Sequence, residues 1–171
     1  NLADTKVDGN NAVANHAGGI YLSGSSSTLS MQGGSITRNT AKTSSKYGGG
    51  VYSLSASCDF QSTTIEGNEA SFGGGITQAG GKLILTMADI QNNTARGAGG
   101  GIYAHHGASV IAENTKIEGN SALIHNGGGI YLAGSASALS MQGARITHNN
   151  ANSGGGIFQV DGSVTISNSS L

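Results

Sequence analysis

The stretch GGGIY at 127–131 is one of six near-copies in this chain. GGIY stands at 18–21, GGGVY at 48–52, GGGIT at 73–77, GGGIY at 99–103 and GGGIF at 154–158. A second phrase runs between them: VDGNNA at 7–12, ITRNTA at 36–41, IEGNEA at 65–70, IQNNTA at 90–95, IEGNSA at 117–122 and ITHNNA at 146–151. Its Ile or Val anchors lie 29, 29, 25, 27 and 29 residues apart, and Leu171 falls 25 residues after Ile146, where a further anchor would stand. Self-similarity at such a period marks a solenoid or an array.

The residues before each anchor alternate. Leu29, Cys58, Leu83, Val110, Leu139 and Val164 stand seven positions ahead, and Leu2, Met31, Phe60, Leu85, Ala112, Met141 and Ile166 five ahead. A period of two is that of a strand, and no sustained i, i+3, i+4 pattern competes with it. Three short strands per unit, joined by Gly, Ser and Asn corners, describe one coil. Coils of 25–29 residues exceed the about 18 residues of a hexapeptide-type turn. The predicted fold is therefore all-β, a parallel β-helix of about six coils forming one segment over 1–171. Its predicted hand is right, as for nearly all strand–crossover–strand connections. Length varies only after Asn-x-Ala and after Ile-Tyr, which marks those sites as loops.

Stacked coils lie about 4.8 Å apart, so a residue repeated at one position meets its own copy. Asn10, Asn39, Asn68, Asn93, Asn120 and Asn149 are expected to form an amide ladder and to take the left-handed backbone of a sharp corner. Ala12, Ala41, Ala70, Ala95, Ala122 and Ala151 fit a narrow inward position. Over this short period lies a longer one: 5–41 and 115–151 align without a gap at an offset of 110 residues, which indicates duplication of a block of coils. The sequence starts mid-coil at Asn1 and stops at the anchor Leu171. This reads as a piece of a longer repeat protein, and its uncapped ends are expected to associate end to end.

Composition narrows the function classes. There are 30 glycines, no proline and 10% charged residues. The regular Ile, Val and Leu separate the chain from a flexible Gly-rich linker. A net charge of −1 gives no electrostatic footprint for nucleic acid. No apolar run approaches the about 18 residues of a membrane helix, so no direct membrane insertion of this segment is expected, nor is there a signal-peptide pattern. The single Cys58 lies in a core column and reads as a small buried hydrophobe.

The paired phrases resemble the Gly-Gly-Ala-Ile and Phe-x-x-Asn repeats of chlamydial polymorphic outer membrane proteins. They are also similar to the passenger repeats of other bacterial autotransporters and surface adhesins. GGGIY carries the first likeness and IEGN or ITRN the second, with Gly in place of Ala and Ile in place of Phe, across all six coils. The resemblance implies a right-handed β-helix on an extracellular bacterial surface, often adhesive, and transfers no catalytic residue. A glycan or a host surface protein is the partner it implies.

Several outward positions are candidates for chemistry. Glu66, Asp89, Lys116 and Arg145 share one patch beside the anchors. As an alternative reading they would be the acids and bases of a polysaccharide lyase or hydrolase, since glycoside hydrolysis needs two carboxyls about 5–10 Å apart. Interleaved opposite charges on neighbouring strands are also ordinary cross-strand pairing. Because Ile points inward in each GGGIY, Tyr21, Tyr52, Tyr103, Tyr131 and Phe158 are expected outside as a binding column, with Thr77 as a gap. Ile84 and Ile111 form a second outward pair, a contact-site candidate. Thr5, Thr63 and Thr115 share a column that suggests ice binding, but Gly34, Ala88 and Ala144 interrupt it. His16, His105, His106, His125 and His148 are too dispersed for a metal site, and no cofactor is expected.

Overall fold

The computed structural model describes residues 2–41 and 45–171; Asn1, on which the mid-coil start rests, lies outside them. Every named element among the described residues is a strand, and every pairing between strands is parallel. The first strand of each coil enters a seven-stranded sheet, running from Leu2–Ala3 through Thr28–Gln32, Ser57–Gln61, Lys82–Thr86, Ser109–Glu113 and Ala138–Gln142 to Ser163–Ser167. The anchors form a six-stranded sheet from Lys6–Asp8 to Arg145–Thr147. The strands after the glycines form another six-stranded sheet, from Ile20–Ser23 to Ile157–Gln159.

A fourth sheet corrects the expectation of three strands per coil. It is four-stranded and made of two-residue strands: Thr40–Ala41, Glu69–Ala70, Thr94–Ala95 and Ser121–Ala122. The chain turns between anchor and Ala, so the Ala pair acquires a ladder of its own. Ala41, Ala70, Ala95 and Ala122 are buried there.

The turn itself is a second correction. The left-handed residue of this corner is not the ladder Asn but the residue before it: Gly9, Arg38, Gly67, Asn92, Gly119 and His148 have φ between 53° and 68°. Left-handed backbone at that site aims the following side chain inward, where it stacks. Asn93 illustrates the result. Its Nδ2 donates to Asn120 Oδ1 at 3.0 Å and to Ile65 O at 2.9 Å, while its Oδ1 accepts from Asn68 N at 3.0 Å and Asn68 Nδ2 at 2.9 Å. The same links join Asn10 to Asn39, Asn39 to Asn68, and Asn120 to Asn149. Each buried amide is thereby satisfied at both ends, as burial requires.

The two repeated phrases meet at this ladder. A Cβ on Gly75 would lie 2.7 Å from Gly101 O and 3.1 Å from the Asn93 amide. The third glycine of the corner is absent a side chain because an amide and a neighbouring coil occupy the space. Gly73, the first of the three, has φ 61°, a conformation glycine adopts without the Cβ penalty.

Inside, the core runs along the whole solenoid: Met31, Ile36, Phe60, Ile65, Leu85, Ile90, Ile117 and Ile130 are essentially inaccessible. Cys58 is buried in its column, and burial pushes its thiol up to about 11. The threonine column proposed for ice is not a surface. Thr63 and Thr115 are buried, as are Ala88 and Ala144 beside them. Thr63 Oγ1 donates to Gly33 O and Gln61 O at 3.1 Å, and Thr115 Oγ1 to Leu85 O and Glu113 O at 3.1 Å. These hydroxyls fasten the corner and present nothing to a crystal face. Ile166 pairs in register with the buried Met141 but is 38% exposed, because its neighbour lies on one side only.

Candidate functional site

The column expected outside the glycine-led sheet is in register: Tyr21, Tyr52, Thr77, Tyr103, Tyr131 and Phe158 follow one another across successive strands. Stacked rings join Tyr103 to Tyr131 at 5.0 Å and Tyr131 to Phe158 at 5.4 Å, and Tyr21 meets Tyr52 at 5.3 Å. Offset or tilted rings at such separations attract one another beyond the area they bury.

Thr77 does not leave a gap. Tyr47, from the loop before the second glycine corner, lays its ring into the space, 5.6 Å from Tyr52 and 6.1 Å from Tyr103. Beneath it Thr77 is fully buried; its Oγ1 donates to Phe72 O at 3.0 Å and accepts from Gly48 N at 3.1 Å. Phe72 widens the band, 5.4 Å from Tyr47 and 5.5 Å from Tyr103. His16 lies 5.0 Å from Tyr52, and Tyr47 N donates to its Nδ1 at 3.2 Å.

The expected exposure of the column is thus corrected at one member. Tyr52 is buried under Tyr21, Tyr47 and His16, whereas Tyr21 stays half exposed and Tyr103, Tyr131 and Phe158 half buried. Tyr47 and Phe72 belong to neither repeated phrase. Both occupy the position before the first glycine of the corner, which His16, Ala98, Asn126 and Ser153 hold in the other coils, Ala17 standing in place of the first glycine in its own. The signal was present in the sequence: the aromatic residues at that position flank the one coil in which the column carries Thr.

Burial keeps this band uncharged. It raises the Tyr52 phenol and pushes that of Tyr103 up to about 12. It lowers the His16 imidazole, and brings His105, packed 4.8 Å from Tyr103 and 4.4 Å from His106, down to about 4. His105 Nε2 is buried without a hydrogen-bond partner, which favours the neutral ring. Shallow depressions flank the band. One of about 370 Å³ is lined by Asn15, His16 and Tyr21, one of about 270 Å³ by Tyr103, His105, His106, Ala133 and Gly134, and one of about 270 Å³ includes Phe72 and Arg96.

The charged patch is brought together on the anchor sheet. Asp89 faces Lys116, and Lys116 faces Arg145, in one column; Glu66 stands one column over, beside Gln91. Lys116 bonds Glu118 on its own strand, and Glu66 accepts from Asn92 Nδ2 at 3.2 Å. That hydrogen bond to Glu118 raises Lys116, and the same contact lowers Glu118. Both stay charged over a wide pH range, opposite to the near-neutral tuning of a general acid or base. None of the depressions beside the ring band is lined by these residues. On the seven-stranded sheet Ile84 pairs directly with Ile111, between Asp59 and Ser140. Both are half buried rather than fully exposed. Among the described residues no cluster of three metal-ligating side chains occurs, and no helix is long and apolar enough to cross a membrane.

Comparison with known proteins agrees with this architecture. Residues 30–171 match the family model described as the right-handed β-helix region. No curated protein and no solved structure matches the chain.

Proposed function

Because the chain belongs to the right-handed β-helix family, we propose that it is a structural and adhesive module. It would serve in a bacterial cell-surface or secreted protein of the autotransporter-passenger type. The module holds a ligand, a glycan or a host surface protein, against its ring-paved sheet and does not turn it over. The observation that carries this reading is the unbroken band from Tyr21 to Phe158, completed by Tyr47 and flanked by depressions. Aromatic faces that are half exposed and rigidly stacked offer contact area at little entropic cost. A parallel sheet built on a repeated backbone keeps them flat and evenly spaced.

The test is binding of the purified protein to a glycan array and to host cells, alongside a screen for polysaccharide cleavage. Tyr131→Ala and Phe158→Ala should each lower binding at least several-fold at temperatures well below their unfolding midpoints, where both variants remain folded. Turnover of any acidic or neutral polysaccharide that disappears in Asp89→Asn would replace this reading with the enzymatic one.

A further inference from the structure

We propose that the depression around Arg96 and Phe72 is a binding site for a carboxylate. The carboxylate is carried on a flat, partly apolar body the size of one sugar or one amino-acid residue. The proposal rests on the reading of the ring band as a contact face, and assigns the chemistry taken at its edge.

The argument begins with an unpaired cation. The guanidinium of Arg96 has no carboxylate and no hydrogen-bond partner among the described residues. Arg38, by contrast, is bonded to Asp8, and Lys116 to Glu118. A guanidinium offers five donors in a planar fork that matches a carboxylate. Among the described residues that line the depression there is no Asp or Glu. The segments joining each inward Ala to the next glycine corner contain Lys42, Lys46, Arg96, His16 and His125, and no Asp or Glu. Lys6, Arg38 and Lys116 each lie against a carboxylate; Arg96 does not.

The rest of the depression is built to receive a flat body. Phe72 lies across Gly97, where a Cβ would come within 2.7 Å of its ring. That ring continues into the band through Tyr47 and Tyr103. Ile124 supplies an apolar wall, Ser45 a hydroxyl and His125 an imidazole. The rim is held by a backbone ladder that outlasts the short sheet: Arg96 N donates to Ala70 O at 2.9 Å, Gly97 N to Ser71 O at 2.7 Å, Ile124 N to Arg96 O at 3.0 Å and His125 N to Gly97 O at 3.3 Å. Successive coils therefore fix the backbone positions from which Arg96, Gly97, Ile124 and His125 face a ligand, which lowers the cost of ordering them on binding. The volume, about 270 Å³, falls just below the roughly 300–1,000 Å³ of pockets that take drug-sized ligands. One residue-sized unit fits, with the remainder of a longer ligand lying along the rings.

The test is an NMR and calorimetric titration of the whole 171-residue protein with two acids and their neutral counterparts. These are methyl glucuronide and its methyl ester, and N-acetylphenylalanine and its amide. At least one acid should bind roughly ten-fold tighter than its neutral partner, the gain expected from charge-assisted hydrogen bonds. The preference should weaken with added salt and vanish in Arg96→Gln. It should persist in Lys82→Gln, which removes a charge from the seven-stranded sheet. Gly97→Ala, which displaces the Phe72 ring, should weaken both members of the pair that binds. Which acid binds identifies the source of the carboxylate as sugar or peptide. Equal affinity for acid and neutral forms, no binding of any probe, or equal loss in Lys82→Gln would each overturn the proposal. Its fate is separable from that of the contact face. Arg96-dependent acid binding with adhesion indifferent to Tyr131→Ala sinks only the face; the converse pattern sinks only the carboxylate site.

Discussion

Two columns of stacked side chains run the length of this solenoid, and they obey different rules. The asparagine column is inside its corner, and every coil supplies its member from the same position of the same phrase. The ring column is outside, and one coil fails to supply a ring; a loop residue, Tyr47, does so instead. The difference follows from what each environment tolerates. A buried amide ladder has no substitute for a missing member, because each amide completes the hydrogen bonds of two neighbours. A ring on an outer face needs only a neighbouring apolar surface, and a loop can provide it from elsewhere in sequence. Strict repetition therefore marks scaffold in this chain, and repaired repetition marks the outer ring face that we propose as the contact surface.

The sharpest way to break that contrast is to remove one rung. Asn93→Ala would strip partners from Ile65 O, Asn68 N, Asn68 Nδ2 and Asn120 Oδ1. Buried groups left unsatisfied cost about 1–3 kcal/mol each, partly relieved by relaxation, so the loss should be on the order of 3 kcal/mol or more. Gln91→Ala, on the outer side of the same turn, should cost little. Denaturant melts that shift equally for both would remove the distinction between the columns.

That distinction also explains how much could be read in advance. The coils, their strand registers and the amide ladder were legible, because stacking forces each coil to repeat its corner. The left-handed site was misplaced onto the ladder Asn because Gly9, Arg38, Gly67 and Asn92 share no side-chain character; backbone geometry, not chemistry, unites them. The short sheet at Glu69–Ala70 was hidden because two-residue strands leave no period to detect. Thr63 and Thr115 were read as outward because alternation gives no face at a corner. Tyr47, Phe72 and Arg96 were missed as site residues because they stand in segments of unequal length, and the position shared by Tyr47 and Phe72 carries Ala98, Asn126 and Ser153 in other coils.

A second prediction probes the ring side with protons. His105 is buried beside His106 and Tyr103, with its pKa brought from 6.5 down to about 4. The unfolded chain then takes up a proton that the folded one refuses, so stability is full above about pH 6.5 and falls as the pH drops toward 4. The span corresponds to a loss of about 3 kcal/mol at most. His16, also lowered by burial, adds a contribution of the same sign. Unfolding midpoints measured from neutral to acid pH should slope accordingly, and His105→Phe should flatten the slope. A slope unchanged in that variant would place the acid sensitivity elsewhere.

A smaller effect sharpens the idea of repair. Tyr47→Ala would open the column above Thr77, costing about 2 kcal/mol, less than the 3–5 of a wholly buried ring. Tyr21→Ala, at the end of the column and 52% exposed, should cost clearly less. If the two variants melt together, Tyr47 is a loop residue lying on the face rather than part of the stack.

The smallest expected effect concerns the charged patch, which stands apart from both columns. Lys116→Gln and Glu118→Gln each break an ion pair on the exposed anchor sheet. Such pairs compete with water and salt, and neither position is strictly repeated: Ser35, Thr64, Asp89 and Arg145 stand in the Lys116 column and Thr37, Gln91 and Thr147 in the Glu118 column. Glu118, lowered by its bond to Lys116, contributes stability above the ordinary glutamate range that is lost only as pH falls through its folded value. Lys116, raised by the same bond, contributes below the ordinary lysine range and loses it only as pH rises through its folded value. The pair is fully charged between those limits, from about pH 5 to about pH 9, and because both side chains are open to solvent the variants should still melt close to the parent protein at physiological salt. Thermal scans at two salt concentrations decide the matter. A clear destabilisation that survives high salt would mean that a surface pair from loosely repeated positions holds the coils together. Strict repetition would then no longer serve as the mark of scaffold in this chain.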